Sequence, residues 1–377
     1  MARLGDICTV NMGQSPDSAT YNEVGRGLPF FQGNADFGRL HPAVRVWCSE
    51  PTKIAHTGDI LISVRAPIGA MNVADQDCCI GRGLAAIQVN ENICDPQYLW
   101  YAIQSKVSDL NAKGTGSTFK AISKSTLTDT EVLLVPLDAQ KNIARVLSNV
   151  ENSILFRKEQ LSKLDELVKA RFVEMFENNT YPKVKVSTVC DFITKGTTPP
   201  NDLISEEYSS DKVPYLKVYN LSFNGELLFD TAPQYISENI HNGMLARSKV
   251  YPNDVLMNIV GPPLGKFSLV TDEFPEWNIN QAIAIFRAKE KINPKYLLSA
   301  LMQPEVLNPF LRQAVGIRQL NLSLSQCRDL EIFLPPLSLQ NQFAAFVAEV
   351  DKSKVEVQKA LDQTQLLFDS LMQQYFG

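Results

Sequence analysis

Between residues 138 and 177 apolar side chains recur every seventh position, with no glycine and no proline anywhere in the stretch. Leu147, Ile154, Leu161, Val168 and Met175 form one row, and Val150 and Leu164 fill the seam beside it. Residues 338–377 repeat the pattern with Val347, Leu361, Phe368 and Tyr375, and with Val350, Val357 and Leu371 between them. A seven-residue apolar period held over about five heptads predicts a coiled-coil helix. Forty residues rising 1.5 Å each would make a rod of roughly 60 Å. An amphipathic helix packed into a larger core has a similar period. The length and the equal spacing of the two segments favour the coil. Arg157 and Arg171 fall on the seam and make it imperfect there.

The rest of the chain alternates short apolar runs with glycine, proline and asparagine. Runs at 59–64, 84–89, 130–135, 254–260 and 282–287 predict strands. A helix is expected after each of Pro96 and Pro294, over 97–105 and 295–302, because proline suits a first helical turn. This mixture predicts an α+β fold.

The two halves resemble each other. Glu131, Pro136, Leu137 and Gln140 return as Glu331, Pro336, Leu337 and Gln340, an offset of 200. The register continues through Ala144 and Ala344, Val150 and Val350, Leu161 and Leu361, and Phe176 and Phe376. Upstream, Gly58-Asp59-Ile60-Leu61 parallels Asn253-Asp254-Val255-Leu256, and Pro67-Ile68-Gly69 parallels Pro263-Leu264-Gly265. Gly13-Gln14-Ser15-Pro16 parallels Gly196-Thr197-Thr198-Pro199 at an offset of 183. A period near 200 is far longer than solenoid repeats of about 20–50 residues, so the chain is a tandem duplication. It divides into a head at 1–137, a helix at 138–177, a second head at 178–337 and a second helix at 338–377. Antiparallel pairing of the helices would place the heads at opposite ends of a rod and fix their spacing.

Composition narrows the function. The 377 residues carry 36 basic and 41 acidic side chains, a net charge of −5, so bulk positive charge does not hold this protein to nucleic acid or membrane. The first head carries 11 basic and 13 acidic residues, net −2, and the second 15 and 16, net −1. No apolar run approaches the roughly 20 residues of a membrane span. The first residues lack the apolar core of a secretory signal, and a cytoplasmic location is expected. Seven cysteines form no C-x-x-C pair and three histidines make no metal pattern, which predicts idle thiols in a reducing compartment and no bound metal. No P-loop, H-E-x-x-H or G-x-S-x-G motif occurs.

The order of these motifs, duplicated over the whole length, resembles the specificity subunits of type I restriction-modification systems. The residues that carry the resemblance are Leu4-Gly5-Asp6-Ile7 with Gly13 to Pro16, Gly58 to Ser63 with Ala66-Pro67-Ile68-Gly69, and the junctions Val135-Pro136-Leu137 with Gln140 and Pro335-Pro336-Leu337 with Gln340. The resemblance implies two target recognition domains separated by a long antiparallel two-helix coiled coil. Each would read one half of a bipartite, gapped, asymmetric site in double-stranded DNA. The helices would set the gap and dock two modification (methyltransferase) subunits, with restriction/translocase subunits as further partners. The chain itself would be non-catalytic and hold no cofactor, S-adenosylmethionine, ATP and magnesium belonging to the partner subunits. A non-catalytic coiled-coil scaffold that binds proteins is the alternative.

Base reading needs Arg or Lys for guanine and Asn or Gln for adenine. On glycine-rich segments of the first head these are Gln32, Asn34, Arg65 and Arg82, with Lys113, Thr115, Ser117, Thr118 and Lys120 suited to phosphate. The second head offers Lys217, Tyr219, Asn220, Asn258, Lys266, Asn280, Gln281, Arg318 and Gln319. Helix pairing is assigned to Leu147, Val150, Ile154, Leu161, Leu164, Val168, Val347, Val350, Val357, Leu361, Phe368 and Leu371. Adding one heptad to each helix is expected to lengthen the permitted gap and leave both half-sites unchanged. Mapping the modified sites of such a variant checks this, and a changed half-site at constant gap refutes it.

Overall fold

A computed structural model describes residues 1–116, 120–176, 181–315 and 320–377. Two compact units emerge. One comprises Met1–Arg157 with Ala360–Gly377, the other Lys158–Lys359. Each unit therefore holds a head, the part of one long helix nearest that head and the far part of the other.

In the first head the strands are β1 (Cys8–Met12), β2 (Leu28–Phe31), β3 (Ile60–Ser63), β4 (Met71–Val73), β5 (Cys78–Ile80) and β6 (Leu84–Val89). They are followed by α1 (Pro96–Ser105) and the long α2 (Leu137–Phe176). The second head repeats the plan with β7 (Cys190–Lys195), β8 (Lys212–Leu216), β9 (Val255–Asn258), β10 (Phe267–Leu269), β11 (Trp277–Ile279) and β12 (Ile283–Ala288). Then come α3 (Pro294–Leu301) and the long α4 (Leu337–Phe376).

One sheet in the first head is antiparallel, in the order β1-β6-β3-β4, and its counterpart in the second is β7-β12-β9-β10. All four residues of β3 and of β9 are buried, which is why both read as continuous apolar runs rather than alternating ones. A second sheet in each head is built around a parallel pair, β2 with β5 through Phe30 and Cys79, and β8 with β11 through Tyr215 and Asn278. Short strands without a clear period make up its edges, and they do not stand out in the sequence. The run at 130–135 pairs only over Glu131–Val132, against Ala2–Arg3.

Paired motifs have paired physical causes. The αL backbone at Gly58 (φ 91°) recurs at Asn253 (φ 71°), and asparagine is the side chain that tolerates this region best after glycine. At Gly13 a Cβ would lie 2.2 Å from the Gly81 carbonyl oxygen, and at Gly196 2.1 Å from that of Asn280. Backbone passes too close at both positions for any side chain. The junction glutamines are fully buried. Gln140 Oε1 accepts from the Asp95 amide at 2.9 Å, and its Nε2 donates to the Val135 and Ile93 carbonyls. Gln340 accepts from the Asn293 amide at 2.8 Å and donates to Pro335 and Lys291. One side chain thus closes the backbone groups where strand, loop and long helix meet.

The long helices run antiparallel within each unit. Phe172 and Phe176, at the end of α2, pack against Phe343 at the start of α4 and against Tyr296 of α3, with ring centroids 4.9–5.6 Å apart. In the other unit Phe376 and Phe368, at the end of α4, meet Tyr98 and Tyr101 of α1 at 5.2 and 6.2 Å. Tyr101 also donates to Glu151 of α2. All twelve expected seam residues are buried or half-buried. The seam drifts at the end of α2, where Phe172 and Phe176 are the buried core residues while Arg171 and Met175 are half-buried, Met175 packing against the edge of that core. A straight helix rotates about 20° per heptad against a strict seven-residue repeat.

Lys354 occupies the seam position seven residues after Val347. Burial pulls its pKa down, but Asp165 of α2 and Glu226 outweigh that and hold the ammonium above the ordinary lysine value. Truncating the last ring, Phe376→Ala, is expected to cost the first unit about 3 kcal/mol through its lost burial against Tyr98. Hydrogen exchange checks this, with protection falling in the first unit and unchanged in the second.

Candidate nucleic-acid interface

In the first head, backbone hydrogen bonds join three loops at one end of the parallel pair β2–β5. The Gly81 amide donates to Phe31 and that of Gly83 to Gln32. Ser15 Oγ, two residues past Gly13, accepts from Gln32 Nε2 at 3.0 Å and from the Arg82 amide at 3.3 Å. The ladder continues outward. The Val64 amide donates to Gly83, that of Ala66 to Lys120, and Thr115 and Ala121 exchange two bonds of 2.9–3.0 Å. Gln32, Arg82, Arg65, Thr115 and Lys120 are therefore carried on one continuous set of loops, and all five are exposed. Asn34 opens the 3₁₀ turn Asn34–Asp36 beside Gln32, and exposed Lys113 ends the helix Val107–Ala112.

The second head builds the same frame with other side chains. The Asn280 amide donates to Leu216, and that of Gln281 to Thr198 Oγ1 at 3.3 Å, as Arg82 does to Ser15. The Ile259 amide donates to Ala282 and that of Gly261 to Leu320, while Val315 and Asn321 exchange two bonds. Position by position, Lys217 stands for Gln32, Gln281 for Arg82, Val260 for Arg65, Val315 for Thr115 and Leu320 for Lys120. Tyr219 lies in the turn Val218–Asn220, 42% exposed. Asn280 accepts from the Ala282 amide and is half-buried. Lys266 lies between β9 and β10 with its ammonium over the Phe223 ring.

Two expected readers are corrected. Asn220 is fully buried; its Oδ1 accepts from the Lys217 amide at 2.9 Å and its Nδ2 donates to the Leu228 carbonyl. Asn258 is buried too, and its amide bridges the Pro263 carbonyl and the Lys266 amide across the β9–β10 connection. Both side chains are consumed by backbone groups and present nothing to a base. Ser117, Thr118, Arg318 and Gln319 lie outside the described residues. The site also contains residues that the sequence reading did not single out, namely Ser15, Thr198 and Arg247, whose guanidinium donates to Thr197 Oγ1. The duplicated Gly-x-Ser/Thr-Pro motif was the signal for the first two.

Behind the second head's loops lies a buried polar network. His241 Nε2 meets Glu276 at 2.9 Å, Asn278 Nδ2 donates to His241 Nδ1, and Ser248 donates to Asn278 Oδ1. Asn278 lies two residues before Asn280, so this network fixes the strand that leads into the loop carrying Asn280 and Gln281. The seven thiols are buried and unpaired as disulfides, and burial pushes those of Cys8, Cys78, Cys94, Cys190 and Cys327 up to about 12, which leaves them unreactive. Among the described residues no cluster of His, Cys, Asp and Glu could hold a metal ion, and no helix is long and apolar enough to cross a membrane.

Two equivalent sets of loops on a duplicated α+β frame, with paired long helices, define a protein that presents two related recognition surfaces. The chain belongs to the family of the type I restriction modification DNA specificity domain, whose model matches residues 1–166 and 178–364. It is 39% identical over 158 residues to a candidate type I restriction enzyme MjaX specificity subunit of Methanocaldococcus jannaschii, covering 42% of this chain and 37% of that relative. Against the type I restriction enzyme EcoBI specificity subunit of Escherichia coli it is 23% identical over 352 residues, 84% of this chain and 73% of the relative. The crystal structure of the type I restriction-modification system S subunit from M. genitalium shares the fold, with a TM-score of 0.59 at 16% identity over all of this chain and 95% of that one. These relatives do not favour the protein-binding scaffold.

Burial holds the His241 imidazole below its ordinary value near 6.5. Below that pH the unfolded chain binds the proton more readily than the folded one, so stability is full above about pH 6.5 and falls as the pH drops towards the folded value. Denaturation midpoints of the second unit are expected to decline from pH 7 to pH 5, and His241→Asn to flatten that slope.

Proposed function

We propose that the chain is the DNA-specificity subunit of a type I restriction-modification complex, each head reading one half of a bipartite, gapped site. The observation that carries this reading is the pair of equivalent loop sets, which share most of their backbone hydrogen bonds and differ in side chains. A common frame with exchanged side chains suits replaceable readers, and because the readers differ the two half-sites differ. The heads are net acidic. Affinity for DNA therefore depends on phosphate contacts contributed by partner subunits.

Modification subunits are the expected partners of the long helices, with restriction/translocase subunits joining the same assembly. Support comes from apolar side chains on the outer faces: Leu167 is 47% exposed and Leu367, its equivalent 200 positions on, 50%. Repetition at the same position in both copies fits two copies of one partner. In this reading the chain performs no chemistry, S-adenosylmethionine, ATP and magnesium being used by those partners. Helix length sets the gap.

The test is a genome-wide map of methylated adenines in cells carrying the partner methyltransferase, with and without this chain. One gapped motif is expected to vanish on deletion, and replacing residues 178–337 to change one half only. Methylation unaltered by deletion overturns the assignment.

A further inference from the structure

At four of the five equivalent positions the two loop sets differ in one chemical direction, and Lys217, which stands for Gln32, runs the other way. Three exposed first-head positions are cationic, Arg65, Arg82 and Lys120, and their second-head equivalents are Val260, Gln281 and Leu320. Thr115 is likewise replaced by Val315. Three of the four substitutes face water, Val315 71% exposed, Leu320 38% and Gln281 exposed, whereas Val260 is half-buried and packs against the core of the second unit. Leaving apolar side chains on a water-facing rim costs free energy unless a ligand covers them.

Resting on the DNA-reading assignment above, we propose that the heads read half-sites of different base chemistry. The first head takes a guanine-bearing half-site through Arg65 and Arg82, with Lys120 beside them. The second takes A·T pairs, with Val315 and Leu320 covering thymine methyl groups and Gln281 pairing with an adenine. Guanine offers N7 and O6 together as acceptors in the major groove, which matches a guanidinium fork. Thymine is the base that presents a methyl group there, and adenine presents the donor–acceptor pair that a glutamine amide matches. The backbone frame is common to both heads, so the exchange of side chains accounts for the difference.

The test uses the full chain in complex with its modification subunits and duplexes bearing its mapped motif. Half-sites are assigned to heads by the replacement of residues 178–337. Deoxyuridine for thymine removes the methyl group alone, and 7-deazaguanine for guanine removes the N7 acceptor. Uracil in the second head's half-site is expected to weaken binding about fourfold for each contacted methyl group, the value of one buried carbon. It should have no effect in the first. 7-Deazaguanine should weaken binding about tenfold in the first head's half-site. The exposed-residue variant Val315→Ala with Leu320→Ala should itself weaken binding to the thymine-bearing duplex and lose the further response to uracil in that half-site. Equal or reversed responses of the two half-sites overturn the proposal. A motif that does not depend on this chain overturns the DNA-reading assignment itself.

Discussion

Each head of this protein is completed by a helix end that the other copy of the repeat supplies. Phe172 and Phe176 close the core of the second unit against Tyr296 and Phe343, and Phe368 and Phe376 pack on Tyr98 and Tyr101 in the first. Aromatic pairs of this kind contribute both area and geometry. Neither copy of the sequence is therefore a finished folding unit. Within each unit, helix pairing and head packing stand or fall together.

That coupling separates what must stay constant from what is free to change. Gln140 and Gln340 close the same backbone groups, Gly13 and Gly196 admit the same close approach, and Gly58 and Asn253 make the same left-handed turn. Outside this frame the two heads diverge down to the character of their interiors. Where the second head buries His241, Ser248 and Asn278 in a hydrogen-bonded network, the first places Cys48 and Cys79 in an apolar cluster. A polar network costs stability unless every member is satisfied, but it also permits one strand position only.

The duplication, the long helices and the junctions were legible because each depends on spacing or on a residue type with one physical use. The exposed side chains of the loop sets were only partly legible. Arg65, Arg82, Thr115 and Lys120 do share a surface, yet Asn220 and Asn258 were read as base contacts although both are buried. Asparagine closes a turn with the same amide that pairs with adenine, and a sequence does not say which partner the amide meets. Asn220 takes the place of Asp36, which accepts from the Gln32 amide in the first head. That correspondence is visible only once the strands are aligned in space. The second sheet was missed for a related reason, since strands of two to five residues are too short to show a clear period.

Lys354 shows how the frame breaks its own symmetry. Its equivalent 200 positions earlier is Ile154, an apolar seam residue, so the two ends of the paired helices differ in chemistry. A lysine on a seam is tolerable only where carboxylates meet it, and here Asp165 comes from the opposing helix and Glu226 from the head above it. Sliding either helix by one heptad would replace Asp165 opposite that ammonium with Lys158 in one direction and Phe172 in the other. The charge thus specifies a single register in a seam whose repeating leucines and valines would otherwise accept several. Because the same lysine also holds a head loop, the register of the helix pair in the second unit and the seating of the second head are one constraint.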